Sequence, residues 1–203
     1  MPNTTQLVLV RHAETTMTER NRIHGHSDAP ISKSGMRAIK KTAKHFRGQR
    51  FDALYSSSLG RALTTAKHIG KAVGLKPIPL DGLRERGYGW LEGKLLPYFE
   101  PDLTGPVWLR PIVRLALLAS GESEQKFIKR VITTTEGILS GHQHQRVMMV
   151  IHWGLLSMLS KYLTEKSTHG WHEIGPWTAC GITEFHAYGR GWHTIRINNA
   201  AHL

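Results

Sequence analysis

At 203 residues the chain is long enough to bury a sizeable core and short enough to form one domain. Its 40% hydrophobic and 8% aromatic content is that of a globular protein, its apolar runs fall well short of the roughly 20 residues a membrane span requires, and its single cysteine, Cys180, excludes an internal disulfide framework. Charge stands out: 27 Lys+Arg against 15 Asp+Glu give a formal net charge of +12, a field that favours anionic partners without choosing among substrates, nucleic acid and acidic lipid. The opening residues carry no secretory signal pattern, so a reducing, cytoplasmic setting is expected.

In chain order, Leu7 to Val10 reads as a short buried strand that ends abruptly on Arg11 and His12. In an open α/β sheet, ligands sit at the carboxyl ends of strands, although a charged pair at a strand end can equally point into water. Thr16 to Pro30 is a polar loop. ISKSG then opens a helix with Ser32 or Ser34 as cap, and Met36, Ile39, Ala43 and Phe46 form its expected core face. Lys33, Arg37, Lys40, Lys44 and Arg47 make a basic stripe on the other side, either a solvated face or a docking surface for a polyanion.

Phe51 to Tyr55 reads as a second strand, followed by a serine cluster that reads as a helix N-cap. The helix from Leu59 to Val73 carries Arg61 in its first turn, where a cation opposes the helix dipole and calls for something anionic nearby. A strand from Lys76 to Leu80 leads into LRERGYGWLEG, Leu83 to Gly93. Prolines at 97, 101, 106 and 111 make 94–120 an excursion from the core, with a short helix expected between Pro111 and Ala119. After Gly121, Glu122 and Ser123 a helix runs to about Leu139. The strand Arg146 to His152 then repeats the opening pattern of a buried run closed by histidine. A helix from Gly154 to Leu163, strands over Gly181 to Ala187 and His193 to Ile197, and the tail NNAAHL complete the chain.

Alternating strands and helices imply a three-layer α/β/α sandwich with a mostly parallel central sheet. Right-handed crossovers would bring the ends of Leu7–Val10 and Val147–Ile151 to one edge, so that His12 and His152 meet there. Each is expected to precede a helix start, whose free N–H groups suit an anion.

RHAET, SSSLGRALTTA around Arg61, LRERGYGWLEG around Glu85, GES at 121–123, VIHWG around His152 and the final NNAAHL stand in the order and spacing of a known family. The chain resembles the histidine phosphatase superfamily, the phosphoglycerate mutase-like group, in its cofactor-dependent mutase and broad phosphatase branch. The resemblance spans nearly all of the chain, as a single domain over 1–203, except the 94–120 excursion, read as a cap. It implies His12 as nucleophile, Arg11, Arg61 and His152 as holders of the phosphoryl oxygens, and Glu85 as the proton donor, with Glu92 as a competing candidate. Thr18, His24, Gly25 and Trp153 then become candidate substrate contacts. They depart from the family's usual asparagine, glutamine-glycine and glycine at those places in all but Gly25, as Ala13 departs from its usual glycine.

The expected function is therefore hydrolysis of a phosphomonoester of a small anionic metabolite through a phosphohistidine, with no cofactor and no metal. The HxH pairs His24/His26 and His142/His144 lack any HExxH or paired CxxC beside them. The expected partner is a small-molecule phosphomonoester, with no membrane span and no nucleic acid. Two alternatives stay open: mutase-type phosphoryl transfer between positions of phosphoglycerate, and an inactive relative that binds a polyanion or a protein.

Overall fold

The computed structural model describes residues 4–95, 121–189 and 191–203. Among these, six strands form one sheet: β1 (Thr5–Arg11), β2 (Ala53–Ser57), β3 (Ile78–Leu80), β4 (Arg146–Ile151), β5 (Ile182–Tyr188) and β6 (Gly191–Asn199). Four α-helices accompany them: α1 (Lys33–Phe46), α2 (Gly60–Val73), α3 (Glu124–Ser140) and α4 (Trp153–Glu165). The sheet order is β3-β2-β4-β1-β5-β6; β3, β2, β4 and β1 run parallel, while β5 and β6 add an antiparallel edge.

The two central strands explain the layers. Successive side chains point to opposite faces, and Leu7–Val10 of β1 and Val147–Ile151 of β4 are apolar at every position, so both faces must be covered. Leu7, Leu9, Val147, Met149 and Ile151 pack with Phe127 and Val131 of α3 and Leu155 and Leu159 of α4. Val8, Val10, Met148 and Val150 pack with Phe46 of α1 and Ala62, Ala66 and Ile69 of α2. The result is the expected three-layer sandwich.

Local departures from the sequence reading have identifiable causes. The second strand begins two residues later than expected, at Ala53, and absorbs Ser56 and Ser57 as buried strand residues. The serines therefore do not form an N-cap cluster: the cap position of α2 is Leu59, which offers no side-chain acceptor. The strand expected from Lys76 shrinks to three residues at the sheet edge, where Pro79 is tolerated because no inner neighbour needs its missing N–H. On α1 the buried positions are Gly35, Ile39, Thr42 and Phe46, with Met36 and Ala43 only half-buried. The face is turned because the helix start lies against the preceding loop. A Cβ on Gly35 would stand 2.1 Å from the Glu14 carbonyl oxygen. Ser32 is the N-cap, its hydroxyl accepting from the Gly35 N–H at 3.0 Å. The basic stripe, Lys33, Arg37, Lys40, Lys44 and Arg47, is exposed throughout.

Beyond Lys94 and Leu95, the expected excursion and its helix lie outside the described residues. No described helix is long and apolar enough to cross a membrane.

Candidate active site

Because β1 and β4 are parallel neighbours with Arg11 opposite Ile151, the residues that follow them emerge side by side. His12 donates its backbone N–H to the Ile151 carbonyl at 2.9 Å, and the rings of His12 and His152 are 5.0 Å apart. His152 occupies the N-cap position of α4, as expected. His12 does not precede a helix. A loop and a three-residue helical turn, Thr18–Arg20, intervene before α1, and the Ala13 N–H is already given to the Thr65 hydroxyl at 3.1 Å. A helix N-terminus is thus present behind one imidazole only.

The protonation state of His12 follows from its neighbours. Its Nδ1 lies 2.7 Å from the Ala13 carbonyl oxygen, which can only accept, so Nδ1 carries the proton. Nε2 keeps its lone pair, and the Arg61 Nε–H, which can only donate, points at it from 3.3 Å. Burial, then the charges of Arg61 and Arg11, hold the His12 imidazole well below its ordinary pKa. His152 is fully buried and is likewise held well below the ordinary value by burial and then by Arg61. Neither of its ring nitrogens has a hydrogen-bond partner among the described residues. Two neutral imidazoles therefore face one another, one with its lone pair directed at the Arg61 N–H and the other with unspent ring nitrogens.

Arg61 is 1% exposed, and an unpartnered guanidinium there would be very costly. Its partners are Ser27 O at 2.9 Å and Asp28 Oδ1 at 3.2 Å from Nη1, and Gly25 O at 2.8 Å from Nη2. With Nε aimed at His12, one of the five N–H groups, on Nη2, has no partner among these contacts. Asp28 also accepts from the backbone N–H groups of Gly60 and Arg61 at the start of α2. It is the anion that a first-turn arginine called for, and the α2 cap that the serines do not provide. Sequence reasoning did not single out Asp28, although the misplaced cation was its signal. Arg11 donates from Nη1 to the Trp177 carbonyl, while its buried Nε has no partner among the described residues. Burial lowers its pKa, opposed by the charge of Glu85.

Glu85 is 8% exposed. One carboxylate oxygen accepts from the Arg86 N–H at 2.8 Å and the other from the Gly154 N–H at 3.0 Å, two residues past His152. Gly154 is required for that approach, since a Cβ there would lie 2.5 Å from Glu85 Oε1. Glu92 is elsewhere engaged. It accepts from the N–H groups of His26, Ser27 and Tyr88 and from the Ser27 hydroxyl. Burial raises its pKa, but these hydrogen bonds outweigh it and leave the group lowered, as befits a loop anchor.

The remaining candidates surround this centre unequally. The His24 ring lies 6.2 Å from that of His12, and its Nε2 is 2.7 Å from the Thr15 hydroxyl and 3.2 Å from that of Thr18. Burial and Arg61 hold its pKa at about 4. Thr18 thus meets the centre through His24. Gly25 holds Arg61 by its carbonyl, and its own α-carbon faces Glu92, where a Cβ would be 2.2 Å from Oε1. Trp153 is half-buried at the first position of α4, its indole packed on the core and against Gly175, where a Cβ would stand 3.1 Å from Cζ2. His26 spends Nε2 on the Glu85 carbonyl at 2.8 Å, and His142 spends Nε2 on the Tyr55 hydroxyl at 2.9 Å. No cluster of three or more metal-ligating side chains occurs among the described residues.

Chemically, a lone-pair nitrogen beside the buried Arg61 and half-buried Arg11 guanidiniums, a second neutral imidazole and a carboxyl is suited to a tetrahedral oxyanion with a leaving group. Comparison with known proteins agrees. A family model for the histidine phosphatase superfamily (branch 1) matches residues 7–200. A Hydrogenobacter thermophilus protein named "Putative phosphoserine phosphatase 2" is 30% identical over 201 residues, covering 97% of each chain. A Yersinia pestis protein named "Probable phosphoglycerate mutase GpmB" is 30% identical over 167 residues, 81% of this chain and 77% of that one. The crystal structure of a phosphoglycerate mutase from Bacillus anthracis superposes with a TM-score of 0.83 at 20% identity, covering 99% of this chain and 96% of the other, a likeness of fold.

Proposed function

The chain belongs to the histidine phosphatase superfamily, and from that premise we propose that it hydrolyses a phosphomonoester of a small anionic metabolite through a phosphohistidine on His12 Nε2. The observation that supports the proposal is the grouping of Arg11, His12, Arg61, Glu85 and His152 about the carboxyl ends of the central strands β1 and β4, with the His12 proton on the far nitrogen. An inactive binding module has no physical need for all five.

In the proposed cycle, His12 Nε2 attacks phosphorus in line as the P–O bond to the leaving group breaks, and Glu85 gives that oxygen its proton. Arg11, Arg61 and the unspent nitrogens of His152 hold the non-bridging oxygens as charge redistributes. Glu85, now a carboxylate, takes a proton from water, whose oxygen displaces the P–N bond and returns His12 to its starting tautomer. Thr18, His24, Gly25 and Trp153 shape the surroundings, with His24 neutral and facing the nucleophile and Gly25 supporting Arg61. Positive charge comes from the guanidiniums, so the cycle is proposed to need no metal. A cytoplasmic setting fits the single cysteine.

Names of relatives divide between phosphatase and mutase. Incubating the protein with O-phosphoserine, p-nitrophenyl phosphate and 3-phosphoglycerate, with and without a chelator, tests the reading. Phosphate release at a rate indifferent to the chelator is expected. Conversion of 3-phosphoglycerate to its 2-isomer faster than phosphate release would replace hydrolysis by transfer, and no turnover of any phosphomonoester would leave a binding module.

A further inference from the structure

Arg130 stands on α3, an element that contributes nothing to the centre described above, yet its guanidinium is divided between the loop that carries Glu85 and the carboxylate of Glu122. Nη1 donates to the Gly82 carbonyl at 3.0 Å and the Arg84 carbonyl at 2.9 Å. Nη2 donates to the Glu85 carbonyl at 3.3 Å and to Glu122 Oε2 at 2.6 Å, and Nε donates to Glu122 Oε1 at 2.8 Å. All five N–H groups of the guanidinium are thereby used, two of them in a fork on one carboxylate.

Glu122 takes hold of the other side of the same loop. Its N–H donates to the Gly87 carbonyl at 2.7 Å, its carbonyl accepts from Arg86 Nε at 3.0 Å, and its carboxylate accepts from the Gly87 N–H at 3.4 Å. Residues on both sides of Glu85 are therefore fixed to a single ion pair, whose side chains are only 24% and 16% exposed. That pair is seated against the packed core. The guanidinium lies 5.5 Å from the ring centre of the fully buried Phe127. One turn further along α3, Thr134 packs so close to the loop that a Cβ on Gly82 would stand 2.0 Å from its hydroxyl oxygen.

We infer that Arg130, acting with Glu122, is a positioning residue for proton transfer: it sets where the Glu85 carboxyl meets the leaving-group oxygen. The inference rests on the proposed role of Glu85 as proton donor. A carboxyl on a loop between Gly82 and Gly87 has little stiffness of its own, and displacements near 1 Å at a reacting group can cost about a hundredfold. An arginine is needed here rather than a lysine, because a point charge cannot serve three carbonyls and a carboxylate together.

The experiment compares two leaving groups. p-Nitrophenolate departs without a proton, whereas the alkoxide of glycerol 2-phosphate needs one. Arg130→Gln is expected to lower kcat/KM on glycerol 2-phosphate by roughly tenfold to a hundredfold while changing kcat/KM on p-nitrophenyl phosphate less than about threefold, since kcat/KM ends at departure of the leaving group and leaves out the water step that Glu85 also serves. Arg130→Lys is expected to restore little. Because Arg130 acts through Glu85, adding R130Q to E85Q should cost nothing further on glycerol 2-phosphate. Equal losses on both substrates, or losses that multiply in the double variant, would make the clamp merely structural and overturn the inference. If R130Q does not fold, as judged by circular dichroism, Glu122→Gln carries the same comparison with the same two outcomes. E85Q alone separates the underlying reading. If its kcat/KM falls equally for both leaving groups, Glu85 is not the proton donor and both proposals fall, whereas selectivity in E85Q without selectivity in R130Q or E122Q defeats the clamp only.

Discussion

Arg61 and His12 are joined by one contact, Nε to Nε2 at 3.3 Å, that aligns the imidazole and adds to burial in keeping it neutral. The arginine repels a proton from the ring and aligns the lone pair, while Ala13 holds the ring's own proton on the opposite side. Removing the cation should therefore change two separate quantities. Arg61→Gln is expected to lower kcat/KM by a hundredfold or more. It is also expected to move the acid limb of the pH–rate profile upward, because a nearby cation disfavours the imidazolium and its loss raises the His12 pKa. Arg61→Lys, which keeps the charge and loses the fork, should lose rate with a smaller displacement of the limb. Profiles of kcat/KM against pH for the three proteins decide, and an acid limb indifferent to R61Q would break the proposed link.

His12→Ala is expected to abolish turnover and leave the fold intact, since the sheet around it is held by buried apolar side chains of β1 and β4. Phosphate release below about a thousandth of the wild-type rate, with an unchanged circular dichroism spectrum, is the expected result. Activity retained at a tenth of the wild-type rate would place the nucleophile elsewhere.

Asp28 joins two tasks, capping α2 and pairing with Arg61. Asp28→Asn keeps an acceptor for the helix N–H groups but loses the charge opposite the arginine. Stability should fall by about 1 kcal/mol or less, judged from what caps are worth, while kcat falls about tenfold because Arg61 loses an anchor. Denaturant titration and p-nitrophenyl phosphate kinetics measured on one preparation test this, and a loss of stability without a loss of rate would reduce Asp28 to a cap.

Acid should destabilise the fold before it reaches the ordinary carboxylates. His12, His24 and His152 have folded pKa values below the unfolded value of 6.5, that of His24 at about 4. Between those values the unfolded chain binds more protons than the native one. The stability these groups contribute is complete above about pH 6.5 and is lost progressively as pH falls toward their folded values. Thermal midpoints measured from pH 7.5 to 4.5 should decline steadily below 6.5. Histidine-to-alanine replacement at position 152 should flatten that decline, and an unaltered slope would show that this imidazole titrates normally.

Gly154→Ala puts a methyl group 2.5 Å from a Glu85 oxygen. The carboxyl must move, so kcat/KM on alkyl phosphates should fall about tenfold or more while kcat/KM on p-nitrophenyl phosphate, whose leaving group needs no proton, stays close to normal. Parallel losses on both would assign the glycine to helix packing alone.

Much of this was legible in the sequence, for reasons that differ by residue. The continuous apolar runs Leu7–Val10 and Val147–Ile151 call for cover on both faces of the sheet, and two such strands each closed by histidine imply neighbouring carboxyl ends once the crossovers are right-handed. Arg61 announced a missing anion by opposing a helix dipole. The chain also determined its family, because motifs spread over most of its length keep one order and spacing. Only the tertiary structure decided which anion answers Arg61, which nitrogen of His12 bears the proton, and that Glu92 anchors a loop while Glu85 faces Gly154. Local patterns record which face of an element is apolar and where it ends. They do not record which carbonyl or carboxylate from a distant segment arrives within 3 Å of a given nitrogen, and that distance sets the charge and direction on which the chemistry depends.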